Sequence, residues 1–259
     1  MEQLVDTHAH LSLGIFRKDW RRVVERARSA GVGKILVVGT DLQSSRRACE
    51  MAALLPSLYA GVGIHPSYAH ALSRADLHHL SLLLFSLAKK AKVVAIGEIG
   101  LDYRQHEDSI ALQKELLAMQ VSLAKKLTLP VIVHVRGAQT DILPALRDSS
   151  GGDLPQGVFH CFSGSKTYLT DVLSSGFFVS FTCNITSSHG VARRSLNVPL
   201  ERLLLESDAP FMAPSSFQGK RNEPLSVTIL AKRHADLRRI QLSEVAHQTT
   251  ANARFLFRL

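Results

Sequence analysis

Cysteine is scarce in this sequence, and long apolar runs are absent. The three cysteines, Cys49, Cys161 and Cys183, show no spacing typical of a metal site or a disulfide framework, so they fit a reducing compartment. The first residues do not read as a signal peptide, and no apolar run approaches the length that spans a bilayer. These absences predict a cytoplasmic protein with no membrane partner. A monomer is the starting expectation for its oligomeric state.

The fingerprints of nucleotide-binding folds are also missing. The sequence contains neither a Gly-x-Gly-x-x-Gly motif nor a phosphate-binding P-loop, and no Ser/Pro-rich linker divides it, so we expect a single domain over residues 1–259. Aromatic residues make up only 6% and do not interleave with basic ones, although the net charge is +9. This charge favours a polyanionic partner such as nucleic acid, but solvated helix faces explain the paired basic residues better.

Short apolar runs alternate with helical patterns along the chain. Hydrophobic residues make up 46% of it, which suffices for a large buried core. Runs that are apolar on both faces indicate a parallel sheet covered by helices, and eight of them in about 250 residues predict an α/β fold, a closed (β/α)8 TIM barrel. After a first strand from Leu4, the predicted strands are 34–39, 58–65, 93–98, 130–134, 157–161, 177–181 and 202–208. The active site of such a barrel lies at the C-terminal ends of the strands.

The first strand ends in a His-x-His pair. His8 and His10 are two residues apart, so their side chains leave a strand in the same direction and can grip one metal ion. Asp6 has the same parity one layer deeper, where a carboxylate can orient a ligand histidine. Two ordinary polar residues leaving a strand would give the same pattern, so the other strand ends decide between the interpretations.

Five further strands deliver histidines or carboxylates to the same rim: His65, Glu98, His134, His160, and Glu206 with Asp208. Burying so many imidazoles and carboxylates without partners is costly, and a divalent ion removes that cost. The predicted metal ligands suffice for two ions that share Glu98 as a bridge, and they are His8, His10, Glu98, His134, His160 and Asp208. Such a set does not distinguish among Zn, Mn, Mg, Ni, Co and Fe.

This ligand set favours an anionic substrate, because two carboxylates only partly offset the charge of two divalent ions. Two ions about 3.5–4 Å apart can clamp the attacking and leaving oxygens of a phosphodiester. Asp208 is the predicted general base, and Glu98 is the bridging catalytic group. His65 either donates a proton to the leaving oxygen or binds phosphate, unless it is a loop histidine fixed by Pro66.

Motifs along the whole chain resemble those of the TatD-type metal-dependent deoxyribonucleases, a family of amidohydrolase-like barrels. The matching segments are DTHAHL at 6–11, GIHP at 63–66, GEIGLD at 97–102, LPVIVHVR at 129–136, FHCFSG at 159–164, LLESDAP at 204–210 and RNEP at 221–224. The resemblance implies the same six metal ligands, and it implies that His65, Arg136, Arg221 and Asn222 face the substrate. Many members carry another histidine after the His-Pro pair, with one residue or none between, whereas Ser67 follows it here.

Three charged side chains near the predicted site are not predicted ligands. Two of them, Arg136 and Asp102, each have two possible roles, and the third, Glu206, has an indirect one. Arg136 shares parity with His134 and can hold a phosphate, or it can pair with Glu206. Glu206 shares parity with Asp208 and is predicted to lie deeper, behind the ligands. Asp102 can hydrogen-bond a ligand histidine or cap its loop.

Core packing is favoured over base stacking for the aromatic residues Phe162 and Phe217. The other histidines fall on presumed helices or loops, where surface positions are expected. They are His70, His78, His79, His106, His189, His234 and His247.

The predicted function is a deoxyribonuclease that cleaves phosphodiester bonds of DNA by a two-metal mechanism. A small-molecule amidohydrolase or esterase is the alternative, although several of those bridge their metals with a carboxylated lysine on strand four and residues 93–98 contain no lysine. An aminoacyl-RNA esterase and a non-catalytic metal-binding scaffold also stay open, because this barrel hosts many chemistries. The sequence does not separate DNA from RNA, or exonuclease from endonuclease activity.

Overall fold

Eight parallel strands form one sheet in the order β1 to β8, and the predicted TIM barrel is confirmed. The computed structural model describes residues 3–105, 107–217 and 219–259. The strands are β1 (Leu4–Ala9), β2 (Val32–Val38), β3 (Leu58–Val62), β4 (Val93–Asp102), β5 (Val131–Arg136), β6 (Gly157–Phe159), β7 (Phe178–Phe181) and β8 (Leu203–Leu205).

Helices alternate with the strands and pack against the outside of the sheet. They are α1 (Trp20–Ser29), α2 (Leu42–Leu54), α3 (Arg74–Ala88), α4 (Ile110–Leu127), α5 (Ile142–Ser150), α6 (Lys166–Ser174), α7 (His189–Ser195), α8 (Val227–Arg238) and α9 (Leu242–Phe257). Local sequence fixes some of their ends. At the start of α2, Ser44 N donates to the Asp41 carboxylate at 2.6 Å, and Asp41 N donates to the Ser44 hydroxyl at 3.0 Å. Nowhere in the described ranges does a helix combine the length and hydropathy needed to cross a bilayer.

The barrel closes between β1 and the segment that follows β8. Asp208 N donates to His8 O at 2.8 Å, and His10 N donates to Ala209 O at 2.8 Å. These two backbone bonds place the first and last predicted metal-binding segments side by side, although 200 residues separate them in sequence (208 − 8).

The N-terminal end of the barrel is plugged by apolar side chains. Inward-facing residues such as Val5, Leu36 and Ile132 share one buried cluster with Leu256 and Phe257 of α9. The polar side chains of the predicted site therefore gather at the opposite end, where the strands terminate.

Strand β4 is longer than predicted. It was expected to end at Glu98 but continues to Asp102, because residues 99–102 pair with residues 133–136 of β5. Gly100 permits this pairing: its φ is +148°, and a Cβ atom there would collide with the backbone carbonyl of His134. Glu98 therefore projects from the middle of a paired strand, which restrains its backbone.

Strands β6 and β8 are shorter than predicted. They end at Phe159 and Leu205, so His160, Glu206 and Asp208 lie in the loops that follow. Asp208 has a φ of +54°, a left-handed conformation that turns the chain away from the strand direction.

Candidate metal centre

Six polar side chains converge at the C-terminal end of the barrel. They come from β1, β4, β5 and the segments that follow β1, β6 and β8: His8, His10, Glu98, His134, His160 and Asp208. Five are buried and His134 is partly exposed. Ligand atoms of several triplets within this set lie within 4.8 Å of one another. The structure thus brings together every residue predicted as a metal ligand.

One half of the cluster is built on β1. His8 Nε2 and His10 Nε2 lie 3.1 Å apart, and Glu98 Oε2 lies 3.4 and 3.5 Å from them. Asp208 Oδ1 lies 3.3 Å from His10 Nε2. His10 Nδ1 contacts the carbonyl oxygen of Val38 at 3.0 Å, so this nitrogen carries the proton and donates. The same bond turns His10 Nε2 towards the carboxylates.

The other half is built on β5 and the residue after β6. Glu98 Oε1 lies 2.9 Å from His134 Nδ1 and 2.8 Å from His160 Nε2. The far nitrogen of His134, Nε2, contacts Asp102 Oδ2 at 3.2 Å. A carboxylate that accepts from the outer nitrogen of a ligand histidine fixes its tautomer and orientation. Asp102 Oδ1 also accepts from Arg104 N at 3.0 Å, so Asp102 both orients the histidine and caps the loop.

The Glu98 carboxylate lies between the two histidine pairs, with a different oxygen towards each. Burial alone would raise the pKa of Glu98, but the charge of His160 and the hydrogen bonds of His134 and His160 lower it well below its ordinary value. For Asp208, burial is likewise outweighed by His10, His8 and His160, and its pKa is lowered. Both groups are therefore carboxylates at neutral pH.

These donor atoms fit divalent metal ions. With Nδ1 protonated, neutral His10 presents the lone pair of Nε2 to Glu98 Oε2 at 3.5 Å. With Nε2 protonated, neutral His134 presents Nδ1 to Glu98 Oε1 at 2.9 Å. Buried lone pairs at such distances repel one another unless a proton or a cation lies between them. Mixed imidazole and carboxylate ligands are those that first-row divalent metals bind.

Asp6 takes a different position from the one predicted. Its Oδ1 accepts from His8 N at 3.2 Å and from Ser207 N at 2.9 Å, and its Oδ2 contacts the Ser207 hydroxyl at 2.6 Å. The carboxyl therefore joins the backbones of β1 and the segment after β8, and it does not orient an imidazole ring. Burial raises the pKa of Asp6 to about 8, although the bonds from Ser207 and His8 oppose that shift.

Glu206 lies behind the ligands, where the parity of its position predicted it. Its Oε1 accepts from Cys161 N at 2.6 Å, and its Oε2 accepts from the Ser180 hydroxyl at 2.7 Å. Oε1 also lies 3.7 Å from His160 Nδ1. Glu206 thereby links β7 to the loop that carries His160.

His65 lies beside the Glu98 carboxylate as a neutral ring. Ser67 N donates to His65 Nδ1 at 3.1 Å, so the proton is on Nε2, which lies 3.5 Å from Glu98 Oε1. Burial lowers the pKa of His65 to about 4. A neutral ring with a proton on Nε2 suits hydrogen bonding to an anion better than release of a proton to a leaving group.

A cavity of about 710 Å³ opens above the cluster. Arg136 is exposed and lines it, and no ion pair joins Arg136 to Glu206 within the described parts of the chain. The guanidinium is therefore available to an anion in the cavity. Two aromatic residues that the sequence did not single out, Tyr68 and Phe211, also line it. Their positions were the available signal, because Tyr68 is the second residue after the His-Pro pair and Phe211 directly follows Asp-Ala-Pro.

Arg221 and Asn222 contact other parts of the protein, contrary to the expected substrate contact. Arg221 Nη1 donates to Ile15 O at 2.8 Å, and Nη2 pairs with Asp19. Asn222 is buried, and its Nδ2 donates to Ser207 O and Phe211 O, each at 2.7 Å. The motif that contains these residues therefore braces the segment around Asp208 and does not reach the cavity lining.

Among the described residues, the remaining phenylalanines and histidines lie where they were expected, with one exception. Phe162 is buried against Tyr168 and Phe181, and Phe217 is partly buried. Five histidines are exposed, namely His70, His78, His79, His189 and His247. His106 lies outside the described residues. The prediction for His234 is wrong: it is fully buried on the inner face of α8.

The model of the TatD related DNase family matches residues 5–258. The chain belongs to this family. The uncharacterized metal-dependent hydrolase YabD of Bacillus subtilis is 38% identical over 258 residues, covering 99% of both chains. The 3'-5' ssDNA/RNA exonuclease TatD of Edwardsiella piscicida is 36% identical over 264 residues, covering 99% of this chain and 100% of its own. The crystal structure of the Escherichia coli TatD homologue YJJV superposes with a TM-score of 0.90 at 33% identity, covering 99% and 98% of the two chains.

Membership of the TatD family agrees with the geometry of the cluster. The chain is a metal-dependent hydrolase that acts on ester bonds, as the motifs implied. Both the family assignment from the motifs and the barrel are confirmed, and the buried histidine and carboxylate cluster is the candidate metal centre of the enzyme.

Proposed function

We propose that this TatD-family hydrolase is a deoxyribonuclease that cleaves phosphodiester bonds of single-stranded DNA with the help of two divalent ions. The observation that carries the proposal is the Glu98 carboxylate, whose two oxygens face two separate histidine pairs. A carboxylate shared between two donor sets could hold two ions close together, as two-ion cleavage of a phosphodiester needs.

The donor atoms divide into two sets with Glu98 between them, one from His8, His10 and Asp208 and one from His134 and His160. When bound, two divalent ions supply positive charge that offsets the phosphodiester and acidifies a water molecule. The chain's own contribution is to hold His10 and His134 in the tautomer and orientation that present a lone pair to the centre, through the carbonyl of Val38 and the carboxylate of Asp102.

Asp208 is the proposed general base. Its lowered pKa keeps it ionised at neutral pH, and Oδ1 lies within the cluster, 3.3 Å from His10 Nε2. It can therefore accept the proton of an attacking water molecule. His65 Nε2–H and the Arg136 guanidinium are placed to donate hydrogen bonds to phosphate oxygens.

The shape of the site favours a single strand. The proposed ligands are buried at the base of a cavity of about 710 Å³, so a scissile phosphate must enter the cavity to reach them. A flexible single strand can do so at its end, whereas a base-paired duplex is too broad. Relatives at 36% and 33% identity carry the name 3'-5' ssDNA/RNA exonuclease, which supports a single strand and a 3′ end.

The test compares chelated protein with protein reloaded separately with Mg, Mn or Zn, on 5′-labelled single-stranded DNA and RNA. Metal-dependent shortening from the 3′ end is the expected result. Asp208→Asn keeps the size of the side chain and removes the base, so its turnover should fall at least about a hundredfold. Asp153→Asn, at a side chain that is 91% exposed, is the matched control and should cleave normally.

Two outcomes would contradict the proposal. The first is that wild-type protein leaves both polymers intact while calorimetry still detects two bound ions. The second is that Asp208→Asn cleaves as fast as Asp153→Asn. In the first case, small esters, amides and aminoacyl-RNA become the substrates to assay on the same centre.

A further inference from the structure

We propose that Phe211 forms a nucleobase subsite, on which the base next to the scissile phosphate stacks; the proposal rests on the nuclease function above. The Phe211 side chain borders the cavity while the residue stays 53% exposed. Its ring centroid lies 5.9 Å from that of His10, so the phenyl ring stands directly beside the proposed ligands. A phosphodiester held at the cluster would bring its own base within reach of this ring.

The exposure of Phe211 is not the result of a loose loop. Phe211 N donates to Asp208 O at 2.8 Å, and Phe211 O accepts from Asn222 Nδ2 at 2.7 Å. Asn222 is fully buried. The backbone is therefore tied on both sides to the segment that carries Asp208, and the ring is held in the open cavity. A rigid exposed ring at a binding site loses little entropy when a ligand covers it.

The surroundings of Phe211 favour a base over a phosphate. Met212, the next residue in the chain, and Leu13 line the same cavity, and Met212 is 37% exposed, so Phe211 shares the lining with other apolar side chains. Cationic and polar groups of the lining come from other elements, as with Arg136 on β5 and Asn184 after β7. A nucleotide has the same division into an anionic group and a flat apolar face. Stacking on an aromatic ring tolerates any base, so the subsite would read the presence of a base and not its identity.

The experiment uses metal-loaded, full-length protein and 5′-labelled single strands that differ at one position. One strand carries natural bases, and the others carry an abasic residue at one of the last three 3′ positions. Wild-type kcat/KM should fall about 5- to 100-fold when the missing base is the one that stacks. Phe211→Ala should lower kcat/KM on the natural strand by a similar factor, with no further loss on that abasic strand. Phe211→Trp should restore the preference.

Phe255→Ala is the matched control. Phe255 is also an exposed phenylalanine, 64% exposed, but it lies on α9 beside residues that precede β6, at the other end of the barrel. This variant should keep the wild-type preference for the natural strand. Metal content and thermal unfolding of each variant establish that the centre is intact.

Two results separate failure of the subsite from failure of the proposed function. If wild-type protein cleaves the natural and the abasic strands and Phe211→Ala slows all of them equally, or changes none of them, the subsite is overturned and the nuclease stands. If wild-type protein cleaves none of the strands under any metal, the nuclease function is overturned, and the nucleobase subsite falls with it.

Discussion

At the scale of single residues, Glu98 is the side chain on which the site depends most. It is the one carboxylate among the proposed ligands that contacts both histidine pairs, through separate oxygens. Its ionised state depends on those contacts, since burial alone would neutralise it and the surrounding histidines lower its pKa. Asp6, by contrast, lies beneath the ligands and accepts hydrogen bonds from the backbone amides of His8 and Ser207.

Substitutions at Asp6 should show how much of its contribution to stability comes from the shape of the side chain and how much from its charge. Because burial raises its pKa to about 8, the folded protein at pH 7 holds this carboxyl mainly neutral, as an amide would be. Near pH 4, where the carboxyl is neutral in the folded state and about half neutral in the unfolded state, Asp6→Asn should therefore change the free energy of unfolding of the metal-free protein by less than about 1 kcal/mol. At pH 7 it should stabilise the protein, because the wild type must take up a proton at Asp6 on folding. Asp6→Ala strands two buried backbone amides and should be about 3 kcal/mol less stable than Asp6→Asn, measured by urea unfolding.

The raised pKa of Asp6 also predicts the direction in which the stability of the protein changes with pH. A folded pKa above the ordinary value of 3.8 means that stability is fully present below that value and is lost as the pH rises towards about 8. Asp6→Asn should remove that slope. An equal pH slope in wild type and Asp6→Asn would show that Asp6 does not ionise as inferred.

His234 should make the protein sensitive to acid. Burial lowers its pKa to about 3 against an ordinary value of 6.5, so below pH 6.5 the unfolded chain takes up a proton that the folded chain refuses. From pH 6.5 to pH 5, wild type should lose about 2 kcal/mol more stability than His234→Leu. Denaturant titration of chelated protein at both pH values measures this. The exposed His189→Leu is the control, and a His234→Leu slope equal to that of wild type would contradict the inference.

At the scale of elements, the segment after β8 is the most heavily constrained part of the site. Asp6 holds it from β1, and Asn222 holds it from the loop that precedes α8. Between these anchors, Asp208 adopts a φ of +54° and Phe211 is presented to the cavity. The Arg-Asn-Glu-Pro motif therefore acts on the site through the backbone.

Substitutions at Asn222 should show an unusual order of severity. Asn222→Ala loses two hydrogen bonds to carbonyls and should cost about 1–3 kcal/mol. Asn222→Asp has the same shape but points a carboxylate oxygen at both carbonyls, so it should be destabilised more than the alanine variant and should lose more activity. Unfolding by urea and turnover of single-stranded DNA measure both effects.

The control for Asn222 is an asparagine whose amide makes weaker contacts. Asn197 is exposed, and its Nδ2 donates to Arg193 O and Arg194 O at 3.3 and 3.5 Å. Asn197→Asp should leave both stability and turnover close to wild type. An Asn222→Asp variant as stable as Asn197→Asp would contradict the bracing role.

At the scale of the whole molecule, the ligands meet only in the folded barrel. They come from strands and loops between His8 and Asp208, so a metal ion that binds this cluster binds the native state and not the unfolded chain. Metal at about a hundred times its dissociation constant should therefore stabilise the protein by about 2.7 kcal/mol.

That stabilisation should weaken in acid. Burial opposes protonation of His10, His134 and His160, but the neighbouring carboxylates raise the pKa of all three above 6.5. A raised pKa means that protons compete with the metal up to a higher pH, so binding must release protons. The rise of Tm with added Mn should shrink from pH 8 to pH 6. Calorimetry in buffers of different ionisation heat should detect the released protons, and their absence would contradict the prediction.

The local sequence pattern determined much of the fold and the positions of many site residues. Alternation of apolar runs with helical stretches predicted eight parallel strands in a barrel, and residue parity at the ends of those runs predicted which side chains share the rim. These features follow from short-range geometry, because a strand's side chains alternate whatever the rest of the chain does. The motifs added the family, which the match over residues 5–258 shows.

Tertiary structure decided what each polar group contacts. Asp6, Arg221 and Asn222 occur in motifs near the site, yet their partners are backbone groups and surface charges that are distant in sequence. The burial of His234 and the exposure of Phe211 likewise depend on elements that pack against them. Hydrogen bonds and burial are set by which segments become neighbours, and closure of the barrel through Ala209 and His10 fixes those neighbours only once the whole chain has folded.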